Sequence, residues 1–505
     1  MRVDLPSYQD WVDFRAHSHP DVIALEFSDR KKITYAELNT VVYKVTSALN
    51  QNISNKNSPI ALLTSSSFEF SLFLHAIPRL GTPILPLNIR LKNDELLFQL
   101  REANVCNLIV DESCFEVARK LAESHDINII TSELLLQDND YELPDTSEMK
   151  GDDVHSIIFT SGTTGKPKAV MLTNGNYYWS AVGSAQNLGV DNRDRWLLCM
   201  PYYHVGGLSI LMRSAIYGTC AVIHEGFDQE LVNSYLRNSS ITLLSVVPTM
   251  LKRMLEFDDG VFPNTIRAVL VGGGPVSKML LEKAQLRGLP VLQTYGLTEA
   301  ASQISTLSHH DAIEKIGSAG KALSINTLRV EKNISEEDIG EILVKGPTVT
   351  VGYFAQSDAT QKTIVDGWLH TGDIGHLDDE GYLFISDRRD DLIVTGGENV
   401  YPAEVENVLS NFANIAEAAV IGFPDDEWGQ KIIAVLVLTQ DKIGINATQL
   451  KNFLDKNLAN YKHPRQFFIS EQVLPRTISG KLQRHLVHLK FESNSSSKPI
   501  ELNLF

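Results

Sequence analysis

The chain has 505 residues and a formal net charge of -17 at pH 7, with 43% hydrophobic and 21% charged residues. This length exceeds that of one ordinary domain, and the composition excludes a mostly disordered or fibrous protein. The acidic balance opposes binding of nucleic acid or anionic membrane over the surface as a whole, so we expect neither as a partner. The four cysteines lack metal-like spacing and predict reduced thiols rather than a disulfide framework.

Neither a targeting signal nor an integral membrane segment is predicted. Asp4 and Pro6 lie where a secretory signal needs an uninterrupted apolar stretch. The most apolar stretch, at 70–87, is interrupted by prolines, a glycine and an arginine, and therefore predicts buried core. We expect a cytoplasmic protein. The sequence leaves the oligomeric state open, a homodimer included.

Strand and helix signals alternate through the N-terminal half. Residues 24–27 predict a strand, and Thr34 with Glu37 predicts an N-cap and capping box for the next helix. Further apolar runs predict buried strands at 60–63, 108–110, 127–130, 221–223, 243–247 and 268–271. This alternation predicts an α/β architecture with largely parallel sheets.

The pattern changes at about residue 315, where glycines become frequent. Alternating segments such as Gly340–Lys345 predict antiparallel strands. Residues 378–381 predict a hairpin turn that leads into a strand at 382–385. We therefore expect a β-rich subdomain in this part of the chain.

A dense charged segment at 387–391 marks the predicted domain boundary. We predict an N-terminal domain over 1–388, with its β-rich subdomain within about 315–386, and a C-terminal domain over 389–505. The helix signal that begins at Pro402 and the apolar run that follows it predict a small α+β fold for the second domain.

Residues 160–168 form a loop of glycines, hydroxyls and lysines after the apolar run 156–159. Backbone N–H groups and hydroxyls at a strand end can bind phosphate oxygens, and the lysines add positive charge. The common P-loop is excluded because its glycines lie further apart and its lysine precedes Ser or Thr, where this chain has Pro167. The loop therefore predicts ATP binding without ordinary kinase or GTPase chemistry. The residues expected to contact ATP are Thr160, Ser161, Gly162, Thr163, Thr164, Gly165, Lys166 and Lys168.

Four further motifs follow the loop, namely QTYGLTE at 293–299, TGD at 371–373, the Arg388 segment and PRTISGK at 475–481. In this order and at these intervals they resemble the adenylate-forming superfamily of acyl-CoA synthetases, luciferases and peptide-synthetase adenylation domains, over essentially the full chain. The resemblance implies a large N-terminal domain of α/β subdomains and a small, mobile α+β C-terminal domain. It also implies that ATP converts a carboxylate to an acyl adenylate with loss of pyrophosphate, after which coenzyme A accepts the acyl group.

The same resemblance implies roles for individual residues. Lys481 is expected to bring positive charge to the α-phosphate and the attacking carboxylate, and Thr160, His204 and Glu299 to belong to the catalytic site. Glu299 is also the expected ligand of Mg²⁺, because a carboxylate oxygen suits that cation. Asp373 and Arg388 are expected to bind the ribose hydroxyls. The other residues expected around the nucleotide are Gly272, Gly273, Gly274, Thr294, Tyr295, Gly296 and Thr298.

Asp390 occupies the position that resembles the family's hinge, about which the small domain turns between the two half-reactions. Lys481 could then approach ATP in the first step and leave before the second. Gly396, Gly397 and Glu398 resemble the segment that faces the coenzyme A channel, where glycines permit a narrow passage. This segment favours thioester formation over release of the adenylate.

The carboxylic acid is predicted from the segments 176–185 and 201–214 and from Ser302. They resemble superfamily members that activate o-succinylbenzoate, an aromatic diacid of menaquinone and phylloquinone synthesis. The carboxylate that does not react needs a neutralising partner, which Arg213 or water bound by Ser209 could supply. Arg213 could equally be a structural salt-bridge residue.

His204 is expected to line and gate the acyl site, with a packed core histidine as the alternative. Three other functions stay open: a coenzyme A ligase for another aryl or medium-chain acid, an enzyme that acylates a carrier protein, and a nucleotide-binding protein without catalysis. The presence of Lys481, Glu299 and Asp373 argues against the last of these.

Overall fold

The computed structural model describes residues 10–137, 149–160, 167–274, 276–308, 310–312, 314–332, 339–387, 392–439, 445–470, 472–475, 482–492 and 500–502. The chain forms two compact units. Unit 1 comprises 1–89, 96–159 and 169–386, and unit 2 comprises 90–95, 160–168 and 387–505. The predicted boundary after Arg388 and the predicted hinge at Asp390 lie outside the described residues.

The strands that lie wholly or mainly in unit 1 are Ile23–Phe27 (β1), Lys32–Thr34 (β2), Ile60–Leu63 (β3), Ile84–Pro86 (β4), Asn107–Val110 (β5), Asn128–Thr131 (β6), Val154–Thr160 (β7), Lys168–Thr173 (β8), Arg195–Leu198 (β9), Cys220–Ile223 (β10), Leu243–Val246 (β11), Ala268–Val271 (β12), Val291–Leu297 (β13), Ser302–Leu307 (β14), Lys321–Ala322 (β15), Thr327–Lys332 (β16), Gly340–Lys345 (β17), Gly352–Tyr353 (β18), Ile364–Val365 (β19), Trp368–Leu377 (β20) and Leu383–Asp387 (β21).

The helices that lie wholly or mainly in unit 1 are Trp11–Ser18 (α1), Tyr35–Asn52 (α2), Ser67–Ala76 (α3), Asn93–Glu102 (α4), Phe115–Ala122 (α5), Ser132–Leu136 (α6), Asn174–Leu188 (α7), Val205–Tyr217 (α8), Gln229–Asn238 (α9), Pro248–Phe257 (α10), Lys278–Leu286 (α11) and Ser357–Thr363 (α12). The helix α2 begins at the predicted capping box, in which Thr34 and Glu37 each accept a backbone hydrogen bond from the other. Short 3₁₀ turns lie at Ile77–Leu80, Glu112–Cys114 and Thr298–Ala300.

Two sheets of unit 1 have the strand orders β15-β14-β13-β12-β11-β9-β10-β1-β2 and β18-β8-β7-β4-β3-β5-β6. In the first, the pairs from β1 through β10, β9, β11 and β12 to β13 are parallel. The pairs β1–β2, β13–β14 and β14–β15 at the two ends of the sheet are antiparallel. In the second, β4, β3, β5 and β6 also pair in parallel. The strands β3, β4 and β5 are buried at every residue, as a sheet covered on both faces requires. The predicted α/β class with parallel sheets is confirmed.

A third sheet has the order β16-β17-β20-β19, with β21 paired to β20. Its β16–β17, β17–β20 and β19–β20 pairs are antiparallel. The chain turns between β20 and β21 where the Asp378 N–H donates to the Tyr382 carbonyl oxygen at 3.0 Å. This sheet supplies the antiparallel β structure that the glycines and alternating segments predict.

Unit 2 contains the strands Ile393–Thr395 (β22), Glu398–Val400 (β23), Ile415–Asp425 (β24), Gly429–Leu438 (β25), Gln466–Ile469 (β26) and Ile500–Leu502 (β27), and the helices Pro402–Ser410 (α13), Ala447–Asn457 (α14) and Arg484–Glu492 (α15). A 3₁₀ turn lies at Asn460–Lys462. The sheet order is β23-β22-β25-β26-β27, with β24 on β25. As predicted, a helix begins at Pro402, where the missing N–H has no helical partner to lose.

Among the described residues, no helix combines the length and apolar character that crossing a membrane requires. All four cysteines are free thiols, and Cys114, Cys199 and Cys220 are buried. Burial raises the pKa of the Cys114 thiol to about 11.

Candidate active site

A hydrogen bond joins two of the predicted nucleotide motifs, one on β13 and the other on β20 of a different sheet. Tyr295 is buried, and its hydroxyl donates to Asp373 Oδ2 at 2.6 Å although the residues are 78 positions apart. The Asp373 N–H donates to Thr371 Oγ1 at 3.1 Å. Asp373 is only partly buried, so its carboxylate is oriented and still accessible. Such a carboxylate suits the acceptance of hydrogen bonds from a ribose.

Glu299 lies in the 3₁₀ turn that follows β13. The Tyr353 hydroxyl donates to Glu299 Oε1 at 3.1 Å, and the Thr350 N–H donates to the Glu299 carbonyl oxygen at 2.8 Å. The carboxylate is half-buried, and the Tyr353 hydroxyl orients it through Oε1. A hard oxygen donor in this setting fits Mg²⁺. The metal role itself stays a prediction.

The backbone around Glu299 is tightly packed. A Cβ on Gly296 would lie 1.6 Å from the Ser302 carbonyl oxygen, so this position requires glycine. Ala301 has a φ of 49° and Ser302 a φ of 92°. Positive φ in non-glycine residues is uncommon and occurs often at functional sites, where surrounding structure holds it in place. Ser302, a predicted substrate residue, therefore lies in a strained connection just after Glu299.

The glycine run 272–274 lies next to Thr294. A Cβ on Gly272 would come within 3.0 Å of Thr294 Cγ2, and Thr294 Oγ1 donates to the Ser305 carbonyl oxygen at 3.0 Å. The preceding residue, Gln293, is buried, and within the described ranges its Nε2 has no hydrogen-bond partner. An amide without a partner at this position could bond the polar edge of a purine.

Arg213 lies on α8 with only 3% of its surface exposed. Its Nη2 donates to Ser180 Oγ at 3.0 Å, and the Ser180 hydroxyl donates to the Ala301 carbonyl oxygen at 2.7 Å. Among the residues that the structure describes, Arg213 Nε has no hydrogen-bond partner and no acidic side chain acts on the guanidinium. Burial lowers the pKa of Arg213, although a guanidinium still keeps its proton at neutral pH. The alternative of a structural salt bridge is therefore not realised in the described part of the chain.

Ser209 lies one helical turn before Arg213, on the same face of α8. It is 1% exposed, and no described residue bonds its hydroxyl. A buried guanidinium without an acidic partner and a buried hydroxyl without a hydrogen-bond partner cost free energy unless a ligand or water pairs with them. These two groups have the chemistry that a second substrate carboxylate needs.

His204 precedes the first residue of α8 and is partly exposed. Its ring meets that of Tyr203 edge-on, with 4.8 Å between the ring centroids. The neighbouring Tyr202 stacks on Phe70 at 5.0 Å and donates its hydroxyl to the His224 carbonyl oxygen at 3.0 Å. The segment before α8 is thus held by Tyr202, and the partial exposure of His204 argues against a packed core histidine. Its role as a gate stays a prediction.

The predicted phosphate loop is described only at its ends. Thr160 ends β7 and Lys168 begins β8, with Thr160 Oγ1 3.5 Å from the Lys168 carbonyl oxygen. Residues 161–166, Arg388 and Lys481 lie outside the described residues, and their expected roles stay predictions.

In unit 2, Gly396 and Gly397 form the two-residue turn between β22 and β23, with φ of 58° and 86°. Two successive positive φ angles are typical of a type I′ hairpin turn. A Cβ on Gly396 would lie 3.0 Å from the Trp428 ring. Glu398 is buried and accepts a hydrogen bond from Arg90 Nη1 at 2.7 Å. The hairpin turn therefore explains both glycines without a coenzyme A channel, and the channel role of the segment stays a prediction.

Two family models match the chain. One, described as "AMP-binding enzyme", matches residues 12–354, and the other, "AMP-binding enzyme C-terminal domain", matches residues 404–481. The chain belongs to the AMP-binding enzyme family.

Individual AMP-binding enzymes resemble the chain over nearly its full length. The 2-succinylbenzoate–CoA ligase of Bacillus anthracis (strain A0248) is 41% identical over 479 residues, which cover 94% of this chain and 97% of that protein. The structure of o-succinylbenzoate CoA synthetase (MenE) from Bacillus subtilis, a double mutant bound with its product analogue OSB-NCoA, is 39% identical with a TM-score of 0.91, covering 98% of this chain and 100% of that one. MenE from the same organism in complex with ATP and magnesium ion is 40% identical with a TM-score of 0.73, covering 95% and 99%.

Three residues in the candidate active site of this AMP-binding enzyme were not predicted individually from the sequence. Tyr353 bonds Glu299 from 54 positions away, and no local pattern reveals the pair. Ser180 lies inside the segment 176–185, but its link from Arg213 to Ala301 depends on how α7 and α8 pack. Gln293 precedes Thr294 in the motif itself, and its buried amide is the signal that could have identified it.

Proposed function

We propose that the protein is an ATP-dependent, AMP-forming ligase that converts o-succinylbenzoate to o-succinylbenzoyl-CoA through an acyl adenylate, in menaquinone or phylloquinone synthesis. ATP, Mg²⁺ and coenzyme A are the co-substrates and cofactor that this reaction needs. The family, and a relative named 2-succinylbenzoate–CoA ligase that is 41% identical over 94% of the chain, support the reaction class. We also propose a cytoplasmic location, where ATP and coenzyme A are available.

The observation that carries the choice of acid is the buried guanidinium of Arg213. It has one hydrogen bond, to Ser180 at 3.0 Å, and its Nε has no partner within the described ranges. A buried guanidinium of this kind binds a carboxylate strongly, because the cation is already desolvated before the substrate arrives and the ion pair offsets that cost. A monocarboxylic acid would use its carboxylate for adenylation and leave Arg213 without an anionic partner. A diacid supplies a second carboxylate for Arg213, and Ser209, on the same helix face, could donate its hydroxyl to that carboxylate.

Other residues are proposed to contact different parts of ATP. Asp373, oriented by Tyr295, accepts hydrogen bonds from the ribose hydroxyls, and Arg388 donates to the same sugar. Glu299 would hold Mg²⁺, which when bound neutralises phosphate charge. Lys481 brings the positive charge that the attacking carboxylate needs at the α-phosphate.

The remaining assignments concern the acid and the second step. We propose that His204 and Ser302 line the acyl site, next to the strained connection after Glu299. We also propose a domain boundary after Arg388, a hinge at Asp390, and a coenzyme A channel along 396–398. The tight Gly396–Trp428 contact supports a backbone surface at that turn without bulky side chains.

The experiment is ATP–pyrophosphate exchange with magnesium and a panel of acids, without coenzyme A. The panel contains o-succinylbenzoate, 4-oxo-4-phenylbutanoate, benzoate and octanoate, and the Lys481→Ala variant is the matched background. We expect exchange to depend on o-succinylbenzoate and to be lost in the variant. Exchange that is as fast with benzoate or octanoate would keep the adenylation chemistry and reject the diacid. Absence of exchange with every acid would reject the reaction class.

A further inference from the structure

A bulge in β20 carries the Thr-Gly-Asp motif. In the β17–β20 ladder, residues 371–373 of β20 stand opposite the single residue Ile342 of β17, because the register shifts between Glu341 and Leu343. Gly372, at the centre of the bulge, has a φ of 71°. Bulges bend a strand and re-aim a side chain, and they occur often next to active sites. Here the bulge sets the direction of Asp373.

Side chains replace the missing ladder bonds of the bulge. The Gly372 N–H donates to Glu341 Oε1 at 2.8 Å, the Asp373 N–H donates to Thr371 Oγ1 at 3.1 Å, and the Thr371 hydroxyl donates to the Ile342 carbonyl oxygen at 2.6 Å. Of the two side-chain acceptors, Thr371 belongs to the bulge and moves with it. Glu341 belongs to the neighbouring strand and anchors the bulge to β17.

The Glu341 carboxylate is held through both of its oxygens. His370 Nδ1 lies 3.0 Å from Glu341 Oε2, while Oε1 accepts from Gly372. A carboxylate fixed in this way limits the positions that the Gly372 peptide can adopt. The next residue, Asp373, is fixed at its side chain by Tyr295 at 2.6 Å. The turn is therefore clamped twice, at its backbone by Glu341 and at its carboxylate by Tyr295.

We infer that Glu341 is a positioning residue for ribose recognition, acting through the Gly372 N–H on Asp373. The inference rests on the proposed function, which takes Asp373 as a ribose ligand. Without the Glu341 anchor, the bulge would sample several positions, and binding would have to order it again. The loss should then fall on the part of ATP affinity that depends on the ribose hydroxyls.

The experiment is isothermal titration calorimetry of ATP and of 2′,3′-dideoxy-ATP with the full-length protein and its variants. Glu341→Ala removes the anchor, and Glu341→Gln keeps an acceptor oxygen while it removes the charge. Glu331→Ala is the matched control. The Glu331 carboxylate lies within 4.8 Å of the Glu341 carboxylate and the His370 ring nitrogen, but its ion-pair partner is Arg329 at 3.6 Å. This variant therefore removes a neighbouring negative charge and keeps the bond from Gly372 to Glu341. Asp373→Ala reports the ribose contact itself.

We expect Glu341→Ala to raise the Kd for ATP about tenfold, the loss expected for one hydrogen bond to a charged acceptor. The Kd for the dideoxy nucleotide should change little, because that nucleotide lacks the hydroxyls that Asp373 would bind. Glu341→Gln should recover most of the affinity, and Glu331→Ala should behave as the unmodified protein. Equal losses for both nucleotides in both Glu341 variants would mean a merely structural residue and would overturn the inference. Discrimination that depends on Asp373 and survives in Glu341→Ala would overturn the inference alone. If the unmodified protein or Asp373→Ala shows no such dependence, the ribose assignment fails, and the inference fails with it.

Discussion

Replacing the buried cation of α8 by an apolar side chain of similar length should have opposite effects on stability and on substrate binding. Arg213→Met removes a guanidinium that is 3% exposed and donates one described hydrogen bond, to Ser180. Ser180 keeps its own bond to the Ala301 carbonyl oxygen, so the substitution leaves no buried donor without a partner there. The protein loses one hydrogen bond, the contact of the guanidinium with the Trp196 ring at 5.7 Å, and a buried charge together.

The magnitudes can be worked from these contacts. Loss of the hydrogen bond costs about 1 kcal/mol. Removal of a buried charge without a carboxylate partner recovers several kcal/mol of desolvation, so we expect the free energy of unfolding to rise by about 1 to 3 kcal/mol. The substrate loses the partner of its second carboxylate, which costs about 2 to 5 kcal/mol. That corresponds to a loss of roughly 30-fold or more in affinity.

The assay pairs urea unfolding with kcat/KM for two acids. One acid is o-succinylbenzoate, and the other is 4-oxo-4-phenylbutanoate, which carries one carboxylate on the same skeleton. We expect Arg213→Met to lose activity with the diacid far more than with the monoacid, while the protein becomes more stable. Equal losses with the two acids, together with a lower free energy of unfolding, would refute the reasoning and make Arg213 a structural residue.

Four further predictions concern other parts of the molecule. His224 is 1% exposed, neither ring nitrogen has a partner among the described residues, and burial lowers its pKa from 6.5 to about 4. In the unfolded chain, His224 therefore binds a proton more tightly than in the folded protein. The stability that its neutral side chain contributes is present above pH 6.5 and is lost as the pH falls towards 4. Between pH 7.5 and pH 5, His224 should lower the free energy of unfolding by about 2 kcal/mol. His224→Phe should remove this decrease, and urea unfolding that shows the same decrease in the variant would contradict the prediction. Tyr295→Phe removes the 2.6 Å bond to Asp373 and should raise KM for ATP about three- to tenfold at similar kcat, whereas an unchanged KM would argue against that bond. Gly396→Val places a side chain against Trp428 and should slow thioester formation while pyrophosphate exchange persists; equal loss of both steps would indicate general damage. Lys481→Ala should lose pyrophosphate exchange yet still bind ATP in calorimetry, and retained exchange would contradict its assigned role.

Local pattern was sufficient for much of the fold. The strand β3 spans the predicted residues 60–63, and α2 begins at the predicted capping box of Thr34, because both depend on neighbours within a few positions. The strand β17 likewise spans the predicted 340–345. Hydrophobic periodicity and capping act over short sequence distances, so a single sequence contains them.

The geometry of the candidate site depends on long-range packing that such patterns do not contain. The motifs identify Tyr295 and Asp373 separately, but their hydrogen bond follows from how β13 and β20 meet. For Arg213, residue type alone leaves a salt bridge and a ligand contact equally open. The choice needs the burial of its side chain and the partners present around it.

The most direct test of the central claim is a competition in one vessel. The protein is incubated with ATP, magnesium, coenzyme A and equal concentrations of o-succinylbenzoate, 4-oxo-4-phenylbutanoate, benzoate and octanoate, and the thioesters are identified by mass. The account predicts o-succinylbenzoyl-CoA as the dominant product, formed together with AMP and pyrophosphate. A dominant thioester of any monoacid would contradict it.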